Sequence, residues 1–183
     1  MKTASDLFYR QGYRSTGRNE IIKNAGVAKA SFFYHFPTKE ALALAYLEDL
    51  HAREAESLLR FVNKWKKPYD RFLAVIKWIE PWIKSNRLRG CGFLNMVSEV
   101  PDKKSPIRKM PKKHYEVLGG LIAQLTQELI KSDPKLYSHL DVSAIANSYL
   151  VIVVGAISLS ETSQDTWPAK RGVEAVKALI ELQ

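Results

Sequence analysis

The sequence predicts an all-α protein, and three observations favour that fold class. Apolar residues recur at spacings of three and four through most of the 183 residues, which is the period of helices that bury one face. The most strand-like segment, YLVIVVGAI over residues 149–157, is rich in β-branched residues, but the sequence offers no second strand to pair with it. The surrounding segment 141–161 contains no proline and one glycine. We therefore expect about nine or ten helices.

The first fifty residues are expected to form short helices separated by tight turns. Apolar spacing predicts a first helix that ends at Gly12. Ser15 and Thr16 are candidate N-caps for a second helix, and Gly26 should end it by taking a left-handed conformation. A third short helix is expected over about residues 28–35, where a proline and a threonine follow.

Longer helices are predicted beyond this point. One should run over about residues 39–64, and the sequence KWKKPYD links it to a helix around residues 72–83. Pro81 is expected to kink that helix or end it early, because proline has no N–H and its ring clashes with the preceding turn. A short helix should begin at Cys91 or Gly92.

The next segment, residues 101–114, holds three prolines and six basic residues. It should form a loop with at most one short helix. A charge run is usually a solvated surface, and this one lies far along the chain from the first fifty residues, so we do not expect it to contact nucleic acid. Helical periods then recur over residues 115–129, 142–160 and 173–182.

Composition limits the class of protein. Twenty-eight lysines and arginines against nineteen aspartates and glutamates give a net charge of +9, which suggests a polyanionic partner, although an inert basic surface has the same charge. A single cysteine cannot form an intramolecular disulfide. The start, MKTASDLFYR, lacks an apolar leader, and the run 149–157 is too short to span a bilayer. We expect a soluble, cytoplasmic protein with no membrane partner.

The sequence gives little support for catalysis or metal binding. No two of the four histidines have a zinc-motif spacing, and no nucleophile motif or phosphate loop stands out. We predict no catalytic residue, no metal and no cofactor, and keep a small helical enzyme as the alternative. Cys91 is open to two interpretations, a redox sensor or a small buried residue at a helix start.

The second and third helices, joined by a turn at Gly26 and Val27, have the pattern of a helix-turn-helix motif over about residues 17–36. In such motifs the second helix enters the major groove of DNA. Ile21, Ile22 and Ala25 supply an inner face, and Val27 should plug the turn. Phe32 and Phe36 lie four apart, so both are expected to face inward.

The remaining side chains of this motif should face DNA. Lys29 suits a phosphate or a guanine, Phe33 suits a thymine methyl group, and Tyr34 and His35 can donate to phosphates. Lys39 should sit beside the free N–H groups at the start of the fourth helix. The predicted DNA-binding residues are Thr16, Gly17, Arg18, Ala28, Lys29, Ala30, Ser31, Phe33, Tyr34, His35 and Lys39.

The stretch TGRNEIIKNAGVAKASFFYHFPTKEAL resembles the N-terminal region of the TetR family of bacterial transcriptional regulators. The matching positions are Thr16, Ile21, Ala25, Gly26, Val27, Lys29, Ser31, Phe32, Tyr34, His35, Phe36, Lys39 and Glu40. A second stretch, RGCGFLNMVSEV, resembles a Gly-Cys-x-x-x-Asn segment in the branch that includes LmrA- and YxaF-like repressors.

Some positions depart from the family pattern. Arg18 stands where an apolar residue is usual, and its stem should lie over the core while its head reaches a phosphate. Ala30 replaces a common glycine. Phe33 replaces a tyrosine, and losing that hydroxyl should weaken DNA binding by about 0.5–1.5 kcal/mol. Met1 falls where the family's first helix has usually begun, so the first turn is short or upstream residues are missing here.

The resemblance implies two domains, a DNA-binding domain over residues 1–46 and a helical domain over residues 47–183 that binds a small-molecule inducer and forms a homodimer. The expected function is a ligand-released repressor on a palindromic DNA operator, with an activator as the alternative. The predicted pocket residues are Phe72, Trp78, Trp82, Phe93, Met96 and Tyr115, although helically spaced aromatics are more often core. The predicted dimer-interface residues are Leu121, Leu125, Tyr149, Ile152, Val153 and Ile157.

Overall fold

The computed structural model describes residues 1–181, and within that range it contains helices and no strand. The α-helices are α1 (Lys2–Gln11), α2 (Arg18–Ala25), α3 (Lys29–His35), α4 (Lys39–Val62), α5 (Pro68–Ser85), α6 (Gly92–Glu99), α7 (Lys109–Ser132), α8 (Pro134–Tyr137), α9 (Val142–Ser163) and α10 (Trp167–Glu181). A single turn of 3-10 helix, Pro106–Arg108, precedes α7. The all-α prediction is confirmed. The predicted last position of the final helix, Leu182, lies outside the described residues.

Packing divides the chain into two compact units, each built from two separate stretches. The first unit comprises Met1–Arg53 and Cys91–Lys113, and the second comprises Glu54–Gly90 and the residues from His114 onward. The division therefore differs from the boundary between residues 46 and 47 that the sequence predicted. It falls within α4, and the stretch that carries α6 joins the N-terminal helices.

Two long-range hydrogen bonds explain why this stretch belongs to the first unit. The backbone N–H of Arg14, in the loop after α1, donates to Glu99 Oε2 on α6 at 2.6 Å. The hydroxyl of Ser105 donates to Glu40 Oε1 in the first turn of α4 at 3.0 Å. Gly12 makes the first contact possible, since its φ is +93° and a Cβ there would lie 2.6 Å from Glu99 Oε1.

The core of the first unit is small. Phe8 packs its ring against Tyr13 and Tyr46, with centroids 5.6 and 5.7 Å away. Thr16 is fully buried and donates its hydroxyl to the carbonyl of Gly12 at 2.7 Å. The prediction that Ser15 or Thr16 caps α2 is therefore wrong: the N-cap is Gly17, because the Thr16 side chain is used in the core.

The core of the second unit is built on α5, nine of whose eighteen residues are buried. The hydroxyl of the fully buried Tyr149 donates to the carbonyl of Phe72 at 2.8 Å and accepts the N–H of Ile76 at 3.0 Å. It thereby bridges two backbone groups one helical turn apart and fixes α9 to α5. Burial is also the main cause that raises the pKa of Tyr149, so this group stays a neutral phenol.

Proline has less effect on the helices than expected. Of the two outcomes expected at Pro81, a kink or an early end, the early end is wrong, since the helix continues to Ser85 and buries Trp82 and Ile83 beyond the proline. Pro81 itself is exposed. The predicted loop over residues 101–114 is likewise shorter, because α7 starts at Lys109. Pro111 is the third residue of α7, where a backbone N–H would have no helical partner to lose.

Within residues 1–181, α9 is the one helix long and apolar enough to cross a membrane by length and composition, with a mean hydropathy of 2.0 over eighteen residues. The nine-residue run 149–157, which is too short to span a bilayer, lies within this longer apolar helix. Buried core helices of soluble proteins have the same composition. Here α9 packs against α5 and α10.

Candidate nucleic-acid interface

The turn between α2 and α3 has the geometry that the helix-turn-helix prediction requires. Gly26 adopts the left-handed conformation, with φ 62° and ψ 31°, and its N–H donates to carbonyls of the last turn of α2. The expected inner face is narrower than predicted, however. Ile21 is buried, but Ala25 is exposed and the supposed plug, Val27, is 44% exposed.

The α3 helix buries one side chain in the core of the first unit. Phe32 is the buried residue of its seven, and the ring of Phe33 stands at right angles to it with centroids 5.5 Å apart. Phe36 comes after the helix, as its C-cap, and is half-buried rather than a full core residue. Most of the surface of α3 therefore remains available to a partner.

Most of the predicted DNA-binding residues are exposed. Tyr34 is 84% exposed. The others that are exposed are Gly17, Arg18, Ala28, Lys29, Ala30, Ser31 and His35. Thr16 must be removed from the set, since its hydroxyl points into the core and is taken by the Gly12 carbonyl.

The Arg18 side chain departs from its expected role. Its guanidinium lies 5.0 Å from the centroid of the Phe33 ring and donates to the carbonyl of Pro37 at 3.2 Å. It is therefore held over α3 by a cation–π contact and a hydrogen bond. Phe33 is consequently half-buried beneath Arg18, which limits its access to a thymine methyl group.

Lys39 is also held by its neighbours. Its Nζ lies 4.5 Å from the centroid of the Tyr13 ring and donates to the carbonyl of Arg14 at 3.3 Å. Partial burial lowers the pKa of Lys39, and the negative charge of Glu99 opposes that effect. The ammonium group thus ties the start of α4 to the loop between α1 and α2.

Two of the predicted pocket residues line a cleft in the second unit. Trp78 and Trp82 have ring centroids 5.3 Å apart and planes inclined by 31°, and Trp78 donates its indole N–H to Ser57 Oγ at 3.3 Å. The cleft measures about 480 Å³. Its other described lining residues are Arg60 and Phe61 from the end of α4, Lys64 just after it, and Pro81 and Ser85 from α5. Ser57, Arg60 and Phe61 were missed, although Arg60 and Phe61 follow Ser57 by three and four residues and so share one face of α4 with it.

The remaining predicted pocket residues do not line this cleft. Phe93 and Met96 are buried on α6 and belong to the first unit, whereas the two tryptophans belong to the second. Phe72 is fully buried and packs edge-on against Tyr149, with centroids 5.1 Å apart. Tyr115 is half-buried on α7. Cys91 is buried at the N-cap of α6.

The predicted dimer-interface residues are mostly internal. Leu125, Tyr149, Val153 and Ile157 are buried within the subunit, so assigning them to an interface is wrong. Leu121 and Ile152 are half-buried. The large exposed apolar side chains on α7 and α9 are instead Val117, Val151 and Leu159. Because α9 is apolar on every face, the sequence alone did not show which face its own subunit would cover.

Comparison with known proteins identifies the N-terminal region. Residues 1–46 match the family model of bacterial regulatory proteins of the tetR family. The chain is 29% identical over 131 residues to the HTH-type transcriptional repressor NemR of Escherichia coli. The matched residues make up 70% of this chain and 64% of NemR. It is also 24% identical over 170 residues to the HTH-type transcriptional regulator LmrA of Bacillus subtilis, covering 92% of this chain and 87% of LmrA.

Solved structures agree with the fold. The crystal structure of a TetR-family transcriptional regulator from Streptomyces coelicolor superposes with a TM-score of 0.87 at 24% identity, covering 98% of this chain and 85% of that one. Similarity to NemR and LmrA alike does not select the LmrA/YxaF-like branch, which stays a prediction. The relatives are named as transcriptional regulators, so the enzyme alternative is set aside. Residues 1–46 therefore match the DNA-binding region of the tetR family, and the chain as a whole has the fold of a TetR-family structure.

Proposed function

We propose that this protein is a repressor that binds a palindromic DNA operator as a homodimer and leaves it when a small molecule binds. The observation that carries the proposal is the surface of α3. Phe32 holds this helix inward, while Lys29, Ser31, Tyr34 and His35 are exposed. An α-helix fits the major groove of B-DNA, where base edges are distinguishable.

The chemistry of α3 suits close approach to DNA. Its N-terminal end, which comes nearest to base edges in helix-turn-helix complexes, carries the small residues Ala28 and Ala30 on either side of Lys29. The ammonium group of Lys29 can bind a phosphate or a guanine, and the hydroxyls of Ser31 and Tyr34 can donate to phosphate oxygens.

A homodimer would let two helix-turn-helix motifs, one from each subunit, bind symmetric half-sites of the operator. Val151 on α9 is 72% exposed and Leu159, on the same helix, is 52% exposed. Exposed apolar side chains grouped on one helix mark interaction surfaces, and a second copy of the same helix is a self-complementary partner for a two-fold axis. This outward face of α9 replaces the interface residues that the sequence suggested.

The cleft at Trp78 and Trp82 is the candidate inducer site. Two indole rings and Phe61 supply apolar walls, while Arg60 and Lys64 supply positive charge, and none of the described lining residues is acidic. Arg60 also lies 3.8 Å from Glu56, an exposed pair that a bound anion would compete with. A planar molecule with a carboxylate fits these walls and this charge. The cleft's volume of about 480 Å³ lies within the range of small-molecule sites.

Release from DNA would then be a shift between two arrangements of the protein. The inducer can act only if it binds one arrangement more tightly than the other. The α4 helix is a suitable element for such coupling, because it supplies Arg60 and Phe61 to the cleft and, at its other end, Lys39.

The DNA-binding part is tested by selecting bound duplexes from a random pool. We expect a palindrome whose half-sites lie one helical turn, or a multiple of it, apart. On the selected duplex, Lys29→Ala should weaken binding and lower the slope of log affinity against log salt by about one. Lys131→Ala, an exposed lysine at the end of α7, is the matched control. No enriched sequence, or equal losses in the two variants, would contradict the proposal.

The dimer is tested by sedimentation at micromolar concentration. Val151→Glu should move the protein toward the monomer, because it places charges on both sides of the proposed two-fold interface. Leu136→Glu is the control, as Leu136 on α8 is also exposed, at 54%, but lies outside the proposed interface. A monomeric wild type would contradict this part.

The inducer site is tested by titration calorimetry with indole-3-carboxylate and with uncharged indole. We expect the carboxylate to bind more tightly, and Arg60→Gln to remove that preference. Equal affinity for the two probes in the wild type would argue against an anionic inducer at this cleft. Transcription of a reporter behind the selected operator separates the repressor from the activator alternative.

A further inference from the structure

The basic segment, residues 101–113, lies in the same compact unit as the helix-turn-helix motif. It contains six lysines and arginines and one aspartate, a net charge of +5. In sequence it is remote from the motif, and for that reason it was expected to be an ordinary solvated loop. The structure removes the basis of that expectation, because the fold brings the segment back to α4.

One end of the turn in this segment is fixed to the start of α4. The hydroxyl of Ser105 donates to Glu40 Oε1 at 3.0 Å, across 65 residues of sequence. The hydroxyl oxygen of Ser105 also accepts the N–H of Ile107 at 3.3 Å, and Ser105 is buried. Glu40 is the neighbour of Lys39 in the first turn of α4. One hydrogen bond therefore holds Ser105 beside that turn of α4, and the other shapes the segment's own turn.

The other end is fixed through α6. Glu99 accepts the backbone N–H of Arg14 at 2.6 Å, in the loop that leads into α2. The Arg108 guanidinium donates to the carbonyls of Val97 and Val100 at 3.0 and 2.7 Å, which holds the segment against the end of α6. The stretch from Glu99 to Ser105 is thus attached to the N-terminal helices at both ends.

Two lysines lie on the turn between these attachments. Lys103 and Lys104 are both exposed, and none of the described residues forms an ion pair with either of them. Successive Cα atoms are about 3.8 Å apart, so both lysines start within about 8 Å of Ser105. The one acidic residue of the segment, Asp102, uses its carboxylate to accept the backbone N–H of Lys104 at 2.9 Å.

From this arrangement we propose that Lys103 and Lys104 bind the DNA backbone beside the bases that α3 reads. Adjacent cations that form no ion pair repel each other, and a polyanion removes that repulsion while releasing its own counterions. A phosphate contact of this kind carries no sequence information. It strengthens binding to every duplex long enough to reach the turn. The inference rests on the proposed DNA-binding function and extends its surface beyond the helix-turn-helix motif.

The test compares two double variants that lose the same charge. Lys103→Gln with Lys104→Gln removes the turn's two lysines, and Lys131→Gln with Lys135→Gln removes two exposed lysines of the second unit. Fluorescence anisotropy measures the affinity of each full-length protein for the selected operator and for a mixed-sequence duplex, over a salt series. Each lost phosphate contact should reduce the salt slope by about 0.9, so the first variant should lose between about one and two on both duplexes, and the second variant little.

Duplex length provides a second readout. Wild-type affinity should rise when base pairs are added at both ends of the selected operator, and the Lys103/Lys104 variant should lose most of that gain. An unchanged salt slope in this variant, or the same change in the Lys131/Lys135 variant, would overturn the inference. Failure of the wild type to bind any duplex would instead overturn the proposed function, and this inference with it.

Discussion

The two compact units of this protein are stabilised in different ways. In the first unit, α2 and α3 each bury one residue, and long-range hydrogen bonds from Glu99 and Ser105 hold the unit's separate stretches together. In the second unit, α5 alone buries nine residues, and Tyr149 is completely enclosed against it.

This difference follows from what each surface must do. A helix that enters a groove of DNA has to leave most of its side chains outside, so α3 has little area with which to stabilise itself. In this unit α4 and α6 therefore supply buried apolar side chains that α3 does not, and long-range hydrogen bonds join the separate stretches. The second unit has no such requirement on α5, which is covered by α9 and α10.

The largest effect is expected in the second unit, from Phe72→Ala. The Phe72 side chain is fully buried and packs on Tyr149, so its removal should lower the free energy of unfolding by about 3–5 kcal/mol. Urea denaturation followed by circular dichroism measures this change. The control is Leu136→Ala, at an exposed position on α8, where a change within about 0.5 kcal/mol is expected. A loss below about 1 kcal/mol at Phe72 would mean that α5 does not organise this core.

An intermediate effect is expected in the first unit, from Thr16→Val. This change keeps the shape of the side chain but leaves the buried Gly12 carbonyl without the hydroxyl that now donates to it at 2.7 Å. The expected loss of unfolding free energy is about 1–3 kcal/mol. Because the hydroxyl faces inward, DNA affinity of the folded variant should be unchanged, measured by anisotropy well below its melting temperature.

A matched threonine sharpens this test. Thr162 on α9 makes the same type of bond, from its hydroxyl to the carbonyl four residues earlier at 2.9 Å, but in an exposed position. Thr162→Val should change the free energy of unfolding by no more than about 0.5 kcal/mol. Equal losses at Thr16 and Thr162 would break the distinction between a polar-stabilised first unit and an apolar second one.

The same contrast explains which features could be predicted from sequence. The two-sided character of α3 was predictable, because inward Phe32 and outward Lys29 and Tyr34 follow directly from helical spacing. The fold class was predictable for the same reason. Thr16 was not, since a threonine before a helix fits an N-cap and a buried hydrogen bond equally well, and local sequence does not choose between them.

Features that depend on distant residues were also not predictable. The attachment of Glu99 to Arg14 spans 85 residues, and without it residues 91–113 cannot be assigned to the first unit. The outward face of α9 was hidden for a different reason. Its hydrophobic pattern has almost no direction, so the exposed Val151 and the buried Val153 look alike in the sequence.

The smallest effect is expected at the turn of the helix-turn-helix motif, from Gly26→Ala. A Cβ at Gly26 would meet nothing within 4 Å, so the cost comes from the backbone, whose φ is +62°. That conformation costs an L-residue about 1 kcal/mol, and Gly26→Asn should cost less because asparagine tolerates it.

Gly120 offers the opposite case: it lies exposed within α7, again with nothing within 4 Å. Gly120→Ala should therefore raise the free energy of unfolding by about 0.4–1 kcal/mol. Urea denaturation of the three variants tests this, since a shift of the same sign at Gly26 and Gly120 would show that the left-handed backbone at Gly26 does not disfavour a side chain.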